Sequence, residues 1–263
     1  MIGLIIVVSL IILVYEIYKY FYFNSKKFLK IKNEIYEYTN ECNDLNNHIE
    51  ELGKKYKIKT YFRNGKSDIQ EDWNFAVSNA KTELVTVVHQ DDVYSKDYLE
   101  NILNNYTGKE LMITTDNYYY IHNNSVDNKN LKLKRILKLP LRIPFFGDLR
   151  FIRKMTLSFG NTIQCPSVTY NKKLIGEPIF NSKLKFGLDW DTFLKIYKMK
   201  GSTKYIPRKL MMFRISDSST TKSCMENDLR IKEDTIMFSK FWPQSLVKLI
   251  MKFYVKCYDV YDK

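Results

Sequence analysis

Three short stretches of the chain carry side chains able to do chemistry. Residues 87–94 read VVHQDDVY and place two adjacent carboxylates, Asp91 and Asp92, directly after a β-branched apolar run. Neighbouring acids repel. A divalent cation bridging a diphosphate offsets that repulsion and neutralises a leaving group. A polar turn with an Asp capping the next helix is the plainer use of the same residues. Residues 187–193, GLDWDTF, put Asp189 and Asp191 where a helical pattern starts. Asp189 is there either an N-cap or a general base at the rim of a cleft. Residues 214–221, RISDSSTT, offer Arg214 and the hydroxyls of Ser218 to Thr221 to phosphate or sugar, and Ser/Thr runs equally mark loops.

Such residues need a scaffold, and from residue 55 the chain alternates strand and helix. Tyr56 to Phe62 reads as a strand and Leu84 to Val88 as a short buried one. Leu111 to Thr115, residues 163–170 and Lys209 to Ile215 read as further strands. Asp72 is expected to cap a helix with Trp73, Ala76, Val77 and Ala80 on one face. Ser95 is expected to cap another, with Leu99, Ile102 and Leu103 inside. Asp189 opens a third, carrying Trp190, Phe193, Leu194 and Tyr197 and ended by Gly201. This alternation predicts an α/β domain with a mixed, mostly parallel sheet flanked by helices. Ligands of open α/β sheets bind beyond the C-terminal ends of strands, which is where Asp91 and Asp92 fall.

Composition removes several classes. The 263 residues are 45% hydrophobic and 27% charged, so the chain is not disordered. None of the 9 glycines forms G-x-G or a phosphate-cradling G-x-x-x-x-G-K-S/T run, since Gly65-Lys66-Ser67 has Thr60 and not glycine five residues ahead, which argues against dinucleotide and P-loop folds. G-x-S-x-G, H-E-x-x-H and C-x-x-C are absent, and the cysteines at 42, 165, 224 and 257 match no zinc spacing, so a reducing compartment is the default. The net charge of +13 attracts anions. Nucleic acid is not expected, because the cations cluster with Leu, Ile and Phe and no nucleic-acid motif appears. Residues 129–154 hold nine Lys/Arg against one acid, Asp148, and read as a segment resting on anionic lipid headgroups or as a basic loop. Residues 241–263 form an amphipathic helix with Leu246, Leu249, Ile250, Phe253 and Cys257 on one face, either docked or lying on a membrane.

The N-terminal part has a different texture. Residues 2–15 carry no charge; as a helix they span about 21 Å, and reading on to Phe23 reaches the ~30 Å of a hydrocarbon core. Residues 1–23 are therefore expected to be a single-pass anchor helix in the cell membrane. Lys19, Lys26, Lys27, Lys30 and Lys32 would hold the remainder in the cytoplasm. Phe28, Ile31, Ile35, Tyr38, Cys42, Leu45, Ile49 and Leu52 alternate steps of three and four before Gly53, a natural helix stop. Residues 24–54 are thus expected to be one heptad-patterned helix. It either builds a homodimer through residues 28–52 or packs on its own domain.

Taken together and in order, EDWNFAVSNAKTELVTVVHQDDVY, CPSVTYNKKLI, GLDWDTFLKIYKMKG and KLMMFRISDSSTT resemble the family 2 glycosyltransferases of the GT-A fold, over roughly residues 55 to 240. The resemblance implies a nucleotide-sugar donor, a hydroxyl acceptor in a polysaccharide or lipid-linked chain, and inverting transfer of a hexosyl group assisted by Mg²⁺ or Mn²⁺. It places Asp91 and Asp92 on the metal and diphosphate motif, Asp189 on the general base with Asp191 as second choice, Trp73 and Asn74 near the donor, and Arg214 on the motif closing over the phosphates. Many relatives carry His after the Arg-Ile pair where this chain has Ser216. The family also opens with a strand, turn and helix that build the nucleoside pocket, and here the expected anchor and heptad helix occupy that place. A non-catalytic, membrane-tethered coiled-coil protein with a degenerate transferase-like domain is the alternative. The two readings part at residues 1–53: strands folded back onto the sheet favour the enzyme, one projecting helix the alternative.

Overall fold

A computed structural model describes residues 9–14, 34–37, 43–89, 92–121, 124–214 and 229–255. The chain divides into two compact units, Met1–Gln90 with Thr169–Phe180, and Asp91–Val168 with Asn181–Lys263. The first unit opens with strands β1 (Ser9–Val14) and β2 (Glu34–Glu37), then α1 (Asn43–Tyr56), β3 (Lys59–Phe62), α2 (Ile69–Asn79) and β4 (Leu84–His89). The second follows with β5 (Val93–Tyr94), α3 (Tyr98–Asn105), β6 (Glu110–Ile121), β7 (Asn124–Val126), α4 (Lys129–Lys138), a 3-10 turn (Leu139–Arg142), α5 (Pro144–Asp148) and α6 (Arg150–Thr156). The chain returns to the first unit for β8 (Val168–Asn171) and α7 (Lys172–Ile175). It finishes in the second with α8 (Leu188–Lys198), β9 (Ser202–Arg214), α9 (Leu229–Ser239) and α10 (Gln244–Tyr254).

In the first unit the strands lie in the order β3-β2-β1-β4-β8, with β2 and β3 parallel and the other pairs antiparallel. The apolar run LVTVVH of β4 is buried through Val88, as a strand with neighbours on both sides must be. Its one hydroxyl at Thr86 is satisfied by Thr169 at 2.8 Å. Helix α2 is capped by Asp68, whose carboxylate accepts the Glu71 N–H at 3.0 Å. Asp72, the expected cap, lies one turn further in; it is buried and paired with Arg63 Nε at 2.8 Å. Lys172 closes the other end of α2 by donating to the carbonyls of Val77 (3.3 Å) and Ala80 (2.5 Å), which a cation does well at a helix C-terminus.

The N-terminal expectations are corrected here. Ser9–Val14, inside the proposed anchor, is a strand pairing with β4 from Leu10↔His89 to Val14↔Val85. Among the described residues no helix is long and apolar enough to cross a membrane. The physical reason is legible in SLIILV: an apolar, β-branched run of that length suits a buried strand as well as a helix, and periodicity does not separate them. The single heptad helix over 24–54 also gives way. Glu34–Glu37 is a strand parallel to β3, and the helix begins only at Asn43, so the residue 28–52 seam proposed for a homodimer is not one helical face. Ile49, a seam residue, is buried. Gly53 does not stop the helix. Lys57 does, at φ 57°, with Ile58 N–H donating to the Gly53 carbonyl at 2.8 Å and Lys57 N–H to Lys54 at 3.3 Å. Gly53 instead lets β3 approach, since a Cβ there would lie 2.8 Å from Thr60 Cγ2.

In the second unit β6 and β9 run parallel from Glu110↔Ser202 to Tyr120↔Arg214, flanked by antiparallel β7 and β5. The register slips between Thr115↔Ile206 and Asp116↔Lys209, leaving Pro207 and Arg208 as an unpaired bulge. Proline has no N–H for the ladder, so the strand bends there. Asp116 sits at the bulge, buried. It accepts from Tyr205 Oη at 2.6 Å and Lys138 Nζ at 2.9 Å, with Arg135 at 3.6 Å. Burial lowers the Lys138 pKa against the opposing pull of Asp116. The basic segment after it is not a loop but three short helices and a turn; α5 lies against β9 because any side chain at Gly147 would overlap the Thr203 carbonyl. Helix α10 is docked, with Val247 and Met251 buried and the Tyr254 ring edge-on to Phe238 at 4.9 Å.

Candidate active site

In the first unit, α2 carries Trp73 and Asn74 beneath the last residue of β4. Trp73 is buried, stacks on His89 at 5.4 Å and meets the Phe180 ring edge-on at 4.9 Å. Asn74 is clamped to a backbone far along the chain: its Nδ2 donates to the Phe180 carbonyl at 2.6 Å, and its Oδ1 accepts the Phe180 N–H at 3.0 Å. Trp73 packs on the end of β4, and Asn74 ties α2 to the backbone of Phe180. Asp91 lies outside the described residues, as does the Ser218–Thr221 hydroxyl run.

In the second unit two of the three motifs meet. Arg214, the last residue of β9, donates its backbone N–H to Asp92 Oδ1 at 3.1 Å. The antiparallel pairs Val93↔Met212 and Tyr94↔Met211 fix that approach. The Arg214 side chain is exposed, its guanidinium 5.8 Å from the Tyr120 ring centre.

Asp189 stands in the first turn of α8. Gly187 occupies the N-cap position, so Asp189 is not the cap of its helix. Its Oδ2 accepts from Asn161 Nδ2 at 2.9 Å and its Oδ1 from the Trp190 N–H at 2.7 Å. Burial pushes its pKa up to about 6, against the two hydrogen bonds and the more distant charge of Lys134. A carboxylate so placed is ionised at neutral pH yet basic enough to take a proton, as general bases require. The loop that presents Asn161 is held by two indoles: Trp190 Nε1 donates to the Leu157 carbonyl at 3.2 Å and Trp242 Nε1 to Ser158 at 2.7 Å.

Asp191 sits in a contrasting environment two residues along the helix. It is buried and bound by Lys240 Nζ (2.6 Å), Ser182 Oγ (2.7 Å) and Lys195 Nζ (3.0 Å). Burial works to raise its pKa, but those partners outweigh it and hold the carboxyl below its usual range. A carboxylate spent on two ammonium groups is a brace rather than a base. Glu233 of α9 braces the same region. Its carboxylate accepts three consecutive N–H groups, Lys185 (2.9 Å), Phe186 (2.7 Å) and Gly187 (2.8 Å), immediately before α8. Sequence reading misses both Asn161 and Glu233. Neither lies in a motif, and their partners are 28 and 46 to 48 residues away.

The family model of glycosyl transferase family 2 matches residues 42–175, half of the chain, and the chain belongs to that family. No curated protein matches the sequence. The match covers Trp73, Asn74, Asp91 and Asp92; Asp189, Asp191 and Arg214 lie beyond it.

Members of such a family often use a divalent metal. Mg²⁺ and Mn²⁺ are held by hard oxygens, commonly one or two carboxylates plus the phosphates of the substrate. Asp92 is a carboxylate of that kind. Among the described residues no group of three or more His, Cys, Asp or Glu side chains converges as a metal site of its own.

Proposed function

We propose that the protein moves a hexosyl group from a nucleotide-diphosphate sugar to a hydroxyl of a polysaccharide or lipid-linked acceptor, with inversion, in making a surface polysaccharide or glycolipid. The observation that carries this reading is Asp189, oriented by Asn161 and Trp190 and raised to a pKa of about 6. The carboxylate takes the proton of the acceptor hydroxyl as its oxygen attacks the anomeric carbon. The bond from that carbon to the diphosphate breaks on the opposite face, so one displacement inverts the centre. Arg214 meets the charge that gathers on the departing phosphate. Asp92, with Asp91, would hold a Mg²⁺ or Mn²⁺ whose chemistry is to neutralise the diphosphate. Trp73 packs on His89 at the end of β4, and the resemblance puts both Trp73 and Asn74 near the donor. The strands β1 and β2 support the enzyme over a non-catalytic tether, because they lie beside β3 and β4 where a projecting helix would leave the sheet open.

The test is calorimetric titration of the full chain with uridine diphosphate sugars and Mn²⁺, followed by a transfer assay. Saturable donor binding and product formation are expected, with product lost in Asp189→Asn while binding survives. A folded sample that neither binds nor turns over any nucleotide sugar, or an Asp189→Asn variant with full activity, overturns the reading.

A further inference from the structure

Helix α4 is built the wrong way round for a soluble domain. Its inward positions are Leu131, Arg135 and Lys138, one helical face at i, i+4 and i+7. The two cations there are consumed internally: Arg135 binds Asp127 and the Asn117 carbonyl, each at 2.6 Å, and Lys138 binds Asp116 at 2.9 Å. Its outward positions include Leu133 and Ile136, 55% and 60% exposed. The inversion continues through the elements that follow. Ile143, Phe145 and Phe151 are exposed on the turn, α5 and α6, with Phe151 at 71%. Single exposed apolar residues are ordinary, but a run of bulky ones confined to so short a piece of chain is not.

The charges among them select the occupant. Lys129, Lys132, Arg142 and Arg150 are all exposed in this segment, against one exposed acid, Asp148. Long cationic side chains interleaved with apolar ones can reach a headgroup layer while Leu, Ile and Phe enter the acyl boundary. Short helices broken by Pro140 and Pro144 present such side chains without spanning anything. We propose that residues 129–151 form a docking surface for an anionic lipid bilayer, holding the second unit flat against the membrane. This goes beyond the transfer reading and stands whether or not that reading does.

Other cationic surfaces of this +13 chain can also bring it to anionic vesicles, so the test must report on this surface alone. Phe151→Trp in the full chain is mixed with vesicles of phosphatidylcholine or of phosphatidylcholine with phosphatidylglycerol, some carrying brominated acyl chains. A blue shift and bromine quenching of the new indole, above the signal of the three native tryptophans, are expected with the anionic vesicles only. Ile136→Glu combined with Phe145→Glu, both at exposed positions and placed in the Phe151→Trp chain, should raise the lipid concentration needed for half of that indole's response about tenfold or more, because a single buried apolar side chain accounts for that much. Circular dichroism checks that the variant stays folded. Sedimentation with vesicles without any change in the fluorescence of the indole introduced by Phe151→Trp overturns the proposal, as does equal quenching in neutral lipid. A concentration-dependent shift without lipid also overturns it, and assigns the face to a second copy of the chain.

Discussion

The Glu233 carboxylate accepts the Gly187 N–H at 2.8 Å, two residues ahead of Asp189. A side chain from α9 therefore sets where α8 begins and so where the carboxyl of Asp189 points. Three consecutive N–H donors converge on that one carboxylate.

Replacing Glu233 with Gln turns part of that acceptor into a donor facing other donors. Stability is expected to fall by about 2–3 kcal/mol in urea denaturation, the usual cost of leaving buried polar groups unpaired. The same variant should lose kcat while donor KM changes little, and Glu233→Asp should recover part of both. An unchanged kcat in a folded Glu233→Gln protein would remove it from any positioning role.

The elevated Asp189 carboxyl predicts a pH limb. Transfer requires the ionised form, so kcat/KM should rise with unit slope through about 6 and level off above. A flat profile down to pH ~5 contradicts the base assignment, since ordinary carboxylates titrate near ~4. Asp189→Asn should cost the ~10²–10⁴-fold that a general base supplies.

Stability moves in the opposite sense. The folded pKa of Asp189, about 6, lies above its ordinary 3.8, so the folded chain holds this proton more tightly than the unfolded one. That contribution is complete below about 3.8 and is lost as pH rises through about 6, an effect on the order of 3 kcal/mol. Asp189→Asn removes it. The variant should melt higher than the parent at neutral pH and close to it near pH ~4. Equal melting temperatures across that range would count against the elevated value.

Asp92→Asn keeps an oxygen to receive the Arg214 N–H and deletes the charge. The fold should survive, with transfer reduced on the order of a hundredfold or more, as when one group meeting developing charge is removed. Half-maximal activity should then need more Mn²⁺. A variant with parental activity at parental metal concentration would free Asp92 from the diphosphate site.

Asp116→Asn leaves the Lys138 ammonium buried without its counter-charge. Breaking a buried pair on one side costs about 3–5 kcal/mol, and urea unfolding should show it. The double change Asp116→Leu with Lys138→Met should be much less damaging. If the single and double variants unfold together, the pair does not carry the bulge.

Much of this architecture is readable from residue pattern. The run at Leu84 to Val88 and the face of Trp190, Phe193, Leu194 and Tyr197 each point to one outcome and are met by the fold, while the helix expected to run to Gly201 ends at Lys198 with Met199 as its C-cap. Pattern fails where one signal serves two structures. SLIILV suits a membrane helix and a buried strand alike, and the neighbouring β4, unknown to a local reading, decides for the strand. The heptad series through Ile35 and Ile49 is periodic on paper, yet Ile35 lies in β2 and Ile49 in α1. Motif reading nominates the acid after β4, the carboxyl of Asp189 and Arg214. It misses the residues that hold them, because Asn161 and Glu233 act through the backbone or through one long-range hydrogen bond. It also leaves Asp189 and Asp191 as near equivalents. Two lysines on Asp191, against an amide and a peptide N–H on Asp189, separate them.

The first unit takes β8 and α7 from Thr169–Phe180, far downstream of its other elements. During synthesis, the stretch through Gln90 must wait for the whole of residues 91–168 to leave the ribosome before β4 gains its second neighbour. Until then β4 offers an open, apolar edge of the kind that recruits foreign strands. Fragments cut before residue 169 should therefore be recovered as insoluble material rather than as a smaller enzyme. Slow translation across residues 91–168 would prolong the interval in which a chaperone is needed.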